Sequence, residues 1–202
     1  LSGERLAARR AFALDMAGLR GRESTLTRAL SAGWRQRLAL GCALLHEPPI
    51  VFLDEPTGSV DPISRRRFWD LIAGLSARGV TVLVTTHYLD EAEHCHRLAI
   101  IHAGRLAALG STQELKQVFA TRAIVEVQTP RPVAAMGVVE RLADVEKTSL
   151  FGTALHAVMR HADADPASIG RALEAEGHAV SSIGVVPPSL EDVFLDVVER
   201  QA

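Results

Sequence analysis

Four consecutive apolar residues, Ile50-Val51-Phe52-Leu53, run directly into Asp54-Glu55-Pro56. A run this short, β-branched at its start and bounded by prolines on both sides, predicts a buried strand rather than a helix. Val80 to Thr86 has the same character. Between the two, Pro62 opens a segment in which Phe68, Leu71, Ile72 and Leu75 recur at helical spacing up to Gly79. Strand, helix and strand in that order, with continuously apolar strands, predict a parallel α/β sheet covered on both faces.

Upstream, residues 4 to 20 are rich in Arg, Ala and Leu with apolar positions at helical spacing, and a polar stretch follows from Gly21 to Thr27. Ser31 to His46 reads as a second helix, ended by Pro48-Pro49. Downstream, a short helix is expected near Leu89 to His94, and two strands flank Ala103-Gly104. From about Ala123 the texture changes. Strands are expected at Ile124 to Gln128, Ala154 to Met159 and Val180 to Val186, with helices at Val133 to Leu142 and Pro166 to Gly177. That is an α+β segment in the order β-α-β-α-β. A last helix begins after Pro187-Pro188, where Ser189 and Asp192 form a capping box. Leu190, Val193, Phe194, Val197 and Val198 then make one apolar stripe, expected to pack on the small sheet while the opposite face carries acids. A domain boundary is expected near residue 120.

Composition narrows the functional classes. With 22 basic and 24 acidic residues the net charge is -2, so there is no basic excess of the kind that marks nucleic-acid or membrane-surface binders. Cys42 and Cys95 are too few and too far apart for a disulfide framework, which predicts a reducing compartment. Cys42, within an apolar helix, is expected in the core. No apolar run approaches the roughly 20 residues that span a bilayer.

Asp54 and Glu55 fall at the C-terminal edge of an apolar strand, the edge at which open α/β sheets bind ligands. Adjacent carboxylates there suit a phosphate site: one holds Mg²⁺ and the next orients and deprotonates an attacking water. Read alone, the pair is equally a solvated strand end. Leu30-Ser31-Ala32-Gly33 lies at a helix start, whose free N–H groups suit a phosphate, although Ser31 is also an ordinary cap. His87 follows the strand Val80 to Thr86 and would share the edge with Asp54 and Glu55 in a parallel sheet. His94-Cys95-His96, with His102 nearby, suggests a metal site only superficially, because consecutive helical residues point in different directions.

Together these segments resemble the ATP-binding-cassette (ABC) ATPases. Leu30-Ser31-Ala32-Gly33-Trp34-Arg35-Gln36-Arg37-Leu38 is similar to their signature motif, and Ile50 to Thr57 to their Walker B strand with its catalytic glutamate. Gly58-Ser59-Val60-Asp61-Pro62 resembles the D-loop, and Val82 to His87 the strand ending in the switch histidine. The resemblance implies a partial nucleotide-binding domain over residues 1–120, with the helical subdomain and signature in 1–47 and Walker B to the switch histidine and beyond in 48–120. Residues 121–202 would form an accessory α+β domain. It implies that Ser31, Ala32 and Gly33 contact the γ-phosphate of ATP on a partner subunit, that Asp54 supports Mg²⁺ through water, and that Glu55 is the general base. Asp61 would communicate across the dimer, and His87 would sense the γ-phosphate. Ala32 and Trp34 depart from the glycine and glutamine common at their positions, which puts a Trp34 role in phosphate binding in doubt. Pro188 to Leu195 resembles the C-terminal signature of exporter-type ABC ATPases of drug, lipid or polysaccharide efflux.

A complete ATP site also needs a Gly-rich loop ending in Gly-Lys-Ser/Thr. The chain's two lysines, Lys116 and Lys147, follow Leu115 and Glu146, so no Gly-Lys pair exists. The family pattern places that loop, the glutamine loop and the adenine-stacking aromatic upstream of the signature, so Leu1 is expected to fall inside the helical subdomain. The expectation is therefore the downstream part of an exporter ATPase subunit, inactive by itself. The intact subunit would use ATP and Mg²⁺ and pair with a second nucleotide-binding subunit. It would dock on a transmembrane permease at the cytoplasmic face of the membrane. Two alternatives stay open: a non-catalytic fragment serving dimerisation or regulation, and a soluble ABC ATPase of DNA repair or translation.

Overall fold

The computed structural model describes residues 2–58 and 60–200. Leu1 and Ser59, the latter within the Gly58 to Pro62 segment, lie outside the described residues. The chain divides into two compact units, Leu1–His94 and Cys95–Ala202.

In the first unit, α1 (Gly3–Ala17) and α2 (Ala32–Ala43) form a helical pair. They meet where Gly41 of α2 faces Ala13 of α1, and a Cβ on Gly41 would lie 3.2 Å from the Ala13 carbonyl. Arg9 donates to the Leu44 carbonyl at 2.6 Å and the Leu45 carbonyl at 3.3 Å, satisfying backbone acceptors that the end of α2 leaves free. Leu19, Leu30 and Ala17 are buried together, with Trp34 and Leu38 packed against them. Trp34 thus joins the loop of residues 18–30 to the signature helix, and Arg22 lies over its ring at 4.3 Å. Cys42 is exposed, contrary to the core position expected. The buried line of α2 runs through Gly33, Arg37, Leu40 and Gly41, and position 42 turns away from it.

Next, β1 (Ile50–Asp54) and β2 (Thr81–Thr85) pair in parallel with Asp54 opposite Thr85. The connecting α3 (Pro62–Ser76) starts as its residues dictate: Asp61 caps it by accepting from the Ser64 N–H at 3.0 Å, and Pro62 occupies the first turn. Phe68, Trp69, Ile72 and Leu75 are its buried positions. The sheet is not covered on both faces as expected. Val51 is buried, whereas Phe52 is 73% exposed and Ile50 and Leu83 are also exposed. Alternate side chains of a strand point to opposite faces, so those three mark the open one. The short α4 (Leu89–Ala92) closes the unit, and His94 stacks on Trp69 with ring centroids 5.2 Å apart.

The second unit begins with an antiparallel hairpin, β3 (Leu98–His102) and β4 (Arg105–Gly110), turned by Ala103 and Gly104 at positive φ. Leu98, Ile100, Ala107 and Ala108 pack on the core that contains Ile124, Val193 and Val197, so the hairpin belongs with the residues beyond 120. After α5 (Thr112–Lys116) and a 3-10 turn come β5 (Ile124–Gln128), α6 (Pro132–Val139), β6 (Val145–Phe151) and β7 (Ala154–Met159). They are followed by α7 (Pro166–Ala175), β8 (Ser182–Val186) and α8 (Leu190–Glu199). The strands make one antiparallel sheet in the order β6-β7-β5-β8, with Val125, Val127, Leu155 and Ala157 packed against residues of α6 and α7. β6 was not expected from the sequence, so the order is β-α-β-β-α-β. On α8, Asp192 and Asp196 are buried with Val193 and Val197 instead of facing solvent. Among the described residues, no helix is long and apolar enough to cross a membrane.

Candidate active site

The parallel register brings the ends of β1 and β2 side by side. The Glu55 N–H donates to the Thr85 carbonyl at 3.1 Å, extending the ladder one residue past Asp54. Glu55 then turns with φ +40, a left-handed conformation that a non-glycine residue adopts only where its surroundings hold it. The turn is closed by the Gly58 N–H donating to the Glu55 carbonyl at 3.2 Å. As a result Glu55 Oε2 stands 2.8 Å from Nδ1 of His87, and both side chains remain more than half exposed. The sequence had placed these two residues on one edge, and the structure brings them into contact.

Asp54 is also at this edge and exposed, and it accepts a hydrogen bond from the Thr85 hydroxyl. Asp61 caps α3, and that backbone hydrogen bond from Ser64 lowers its pKa. Ser31 occupies the N-cap of α2 without a side-chain capping bond. Gly33 is buried against α3, where a Cβ would meet the Ser64 side chain at 2.7 Å. The requirement for glycine is therefore met by helix–helix contact as well as by the open helix start. Ala32, Arg35 and Gln36 of α2 line a polar cleft of about 440 Å³ with Glu55, Gly58, His87 and Tyr88. Of the residues anticipated for this site, Ala32, Glu55 and His87 share the cleft. Ser31, Gly33, Asp54 and Asp61 do not line it.

Five residues around the cleft were missed by sequence reasoning. Glu91 of α4 is 1% exposed, and its carboxylate accepts from the hydroxyl of Thr57 and, at 3.0 Å, from that of Thr86. Arg65 of α3 places Nε 3.2 Å from the same carboxylate and stacks its guanidinium over Tyr88 at 4.2 Å. The available signal was the acidic residue four positions after His87, but in a short segment with Asp90 and Glu93 beside it such a carboxylate reads as solvated. Asp54 supplies an oxygen donor of the kind Mg²⁺ takes, since that ion uses one or two carboxylates and fills its remaining positions with water and phosphate oxygens.

A carboxylate–histidine pair at the carboxyl ends of parallel strands, beside a helix start, lies on the edge at which open α/β sheets bind ligands. In both of its parts the chain is similar to the ATP-binding proteins of ABC transporters. Residues 5–58 match the ABC transporter family, and residues 110–198 match the C-terminal domain of the ATP-binding protein DrrA1-3-like family. The probable multidrug ABC transporter ATP-binding protein YbhF of Escherichia coli is 52% identical over 99 residues, 49% of this chain and 17% of that protein. The Nod factor export ATP-binding protein I of Paraburkholderia xenovorans is 34% identical over 189 residues, 93% of this chain and 60% of that protein. The chain thus spans less than two thirds of either relative. Among solved structures, an ATP-binding subunit of an ABC transporter is 30% identical with a TM-score of 0.52, over 59% of this chain and 50% of that one. The cbiO1 protein of Clostridium perfringens, part of the ABC transporter complex cbiONQ, is 27% identical with a TM-score of 0.53, over 70% and 52% of the two chains.

Proposed function

We propose that this chain supplies the signature and hydrolytic half of the ATP site of an exporter-type ABC ATPase. The observation that carries the reading is the 2.8 Å contact between Glu55 and His87 at adjoining strand ends. Glu55 is the general base: its exposed carboxylate takes the proton of the attacking water. His87 holds that carboxylate through Nδ1, and its free ring edge serves a terminal phosphate oxygen. Asp54 holds Mg²⁺ through water, and that ion would neutralise charge on the phosphate oxygens. Ser31, Ala32 and Gly33 present the start of α2 to the γ-phosphate of ATP on a second nucleotide-binding subunit, with Asp61 at the junction between subunits. The Ser31 hydroxyl, not engaged in capping α2, is consistent with that use.

The exporter assignment draws on relatives named for multidrug transport and Nod factor export. The partners are a second ATPase subunit and a transmembrane permease, with the chain at the cytoplasmic face of the membrane. We further propose that these 202 residues alone neither bind nor hydrolyse ATP measurably, because they hold no Gly-Lys pair to cradle the phosphates. Isothermal titration with Mg-ATP should give no saturable heat, and micromolar binding would refute this. A chain extended at its N-terminus with the phosphate-loop segment of a relative should hydrolyse ATP. There Glu55→Gln should cut the rate by about 10²–10⁴-fold, the usual worth of a general base. An unchanged rate would remove Glu55 from that role. An extended chain that stays inactive would favour the second reading, a non-catalytic partner-binding piece, to which the missing Gly-Lys pair also points.

A further inference from the structure

We propose that Glu91 is a positioning residue that sets the Glu55 turn and the His87 turn together, although it touches neither side chain. The inference rests on the ATPase reading for its purpose and on the geometry for its substance. Thr57 stands two residues beyond Glu55, and its carbonyl accepts the Val60 N–H at 3.1 Å, so it anchors the loop toward Asp61. Thr86 immediately precedes His87. Its hydroxyl gives its proton to Glu91 and accepts the Tyr88 N–H at 3.0 Å, which fixes the turn from which His87 projects. One buried carboxylate therefore receives both hydroxyls, one on each oxygen.

A buried carboxylate is costly unless paired and hydrogen-bonded. Here Arg65 supplies the charge at 3.2 Å and is itself held by its stack on Tyr88. Two threonines and one arginine from three separate stretches of the unit would be an elaborate way to secure a four-residue helix. They are an economical way to keep two turns at a fixed separation. A shift of either turn must be absorbed by Glu91, since its oxygens cannot follow one hydroxyl without leaving the other.

The test is nuclear magnetic resonance on the 202-residue chain without nucleotide, in a Glu55→Ala background that removes the direct contact to His87. Thr57→Val should displace the His87 ring signals and the Tyr88 amide by more than a linewidth. Thr86→Val should displace the Gly58 and Val60 amides. Thr57→Ser, which keeps the hydroxyl, should restore the His87 ring signals. If each valine substitution stays confined to its own turn, Glu91 does not couple them and the proposal fails. These variants remove one hydroxyl each and are milder than Glu91→Gln, which should abolish transmission in both directions if it folds. The signals are read without hydrolysis, so the Glu55→Gln rate measurement above can fail while this coupling stands, or the reverse.

Discussion

The two units each contain a histidine–carboxylate pair of almost the same length, and the pairs do different things. His87 and Glu55 approach to 2.8 Å, with 57% and 52% of their side chains exposed. His156 of β7 and Asp192 of α8 approach to 2.9 Å with 3% and 2% exposed. The buried pair is held on every side. The other ring nitrogen of His156 faces Glu126 at 3.3 Å, Phe151 stacks on the ring at 4.4 Å, and Asp192 also completes the capping box with Ser189. Next to it Asp196 receives Arg122 in a two-pronged contact at 2.9 and 3.0 Å, with Lys147 and Arg200 each at 3.0 Å. Under the proposed function, the exposed pair keeps free lone pairs for a substrate. The buried pair spends its lone pairs fastening a helix to a sheet. Contact distance alone does not distinguish chemistry from architecture; the surroundings do.

If this contrast is sound, the largest stability effect belongs to the buried pair. Asp192→Ala should lower stability by about 3–5 kcal/mol, because it breaks a buried pair and leaves His156 facing only Glu126. Urea unfolding followed by circular dichroism measures this, and a loss below about 1 kcal/mol would make the buried pair no more structural than a surface one.

A middle-sized effect tests whether close packing, too, is concentrated where the site is built. Gly33→Ala forces Ser64 or the α2 backbone to move, as an added Cβ would lie at 2.7 Å. Overpacking of this kind costs about 1–3 kcal/mol, set against up to about 1 kcal/mol gained from alanine's better helix propensity. Gly137 in α6 has open space around its would-be Cβ, so Gly137→Ala should stabilise by about 0.5–1 kcal/mol. Opposite signs in paired thermal melts would support the packing account, and equal signs would undo it.

Why the sequence disclosed one pair and hid the other follows from where the partners lie. Asp54, Glu55 and His87 sit at the ends of short apolar strands, and a parallel register is enough to bring them to one edge. Position along the chain carries that information. His156, Glu126 and Asp192 come from β7, β5 and α8, and only the antiparallel register, with Glu126 opposite His156, makes them neighbours. On α8 the apolar stripe was legible, but the acids beside it read as a wet face, because their partners Arg122, Lys147 and His156 lie 36 to 74 residues away. β6 escaped for a related reason. Its Glu146, Lys147 and Thr148 break the apolar pattern, and its register shifts between Val145 and Lys147, so simple alternation fails. Its polar side chains are there to serve Asp196, Arg122 and Glu140. Glu91 was hidden in the same way by partners on other elements.

Acidity should expose the buried cluster. Burial opposes charge on His156, but hydrogen bonds to Asp192 and then Glu126 outweigh it and raise its pKa. Burial likewise pushes Asp192 up, and its bonds to His156 and Ser189 bring it below the ordinary range; Gln128 and His156 lower Glu126. The raised histidine stabilises fully below its unfolded value near 6.5 and loses that contribution as pH rises through the folded value. The lowered carboxylates stabilise above their unfolded values near 4 and lose it as pH falls through the folded ones. Asp196, lowered by Arg122 and Lys147 against its burial, adds to the acid side only, and Arg122 is raised and stays charged throughout. The cluster's contribution is therefore greatest between about pH 4.5 and 6.5 and declines on either side. His156→Gln should remove the alkaline decline while leaving the acid one, and a profile unchanged by that substitution would place the titration elsewhere.

The smallest expected effect is the most discriminating for function. His87→Gln removes a contact between two side chains that are both over half exposed, and such surface contacts contribute about 0–1 kcal/mol. His87 also lies against Tyr88 with ring centroids 4.1 Å apart, a contact that a glutamine side chain can cover only in part. The melting temperature of the 202-residue chain should therefore hardly change. In the extended, ATP-hydrolysing chain the same substitution should slow turnover markedly, because it removes the group that orients Glu55 and faces the phosphate. Large loss of rate with little loss of stability is the signature of a residue placed for chemistry. If His87→Gln instead destabilised the chain as much as Asp192→Ala, the two pairs would be alike, and the exposed one would be holding the fold rather than serving a substrate.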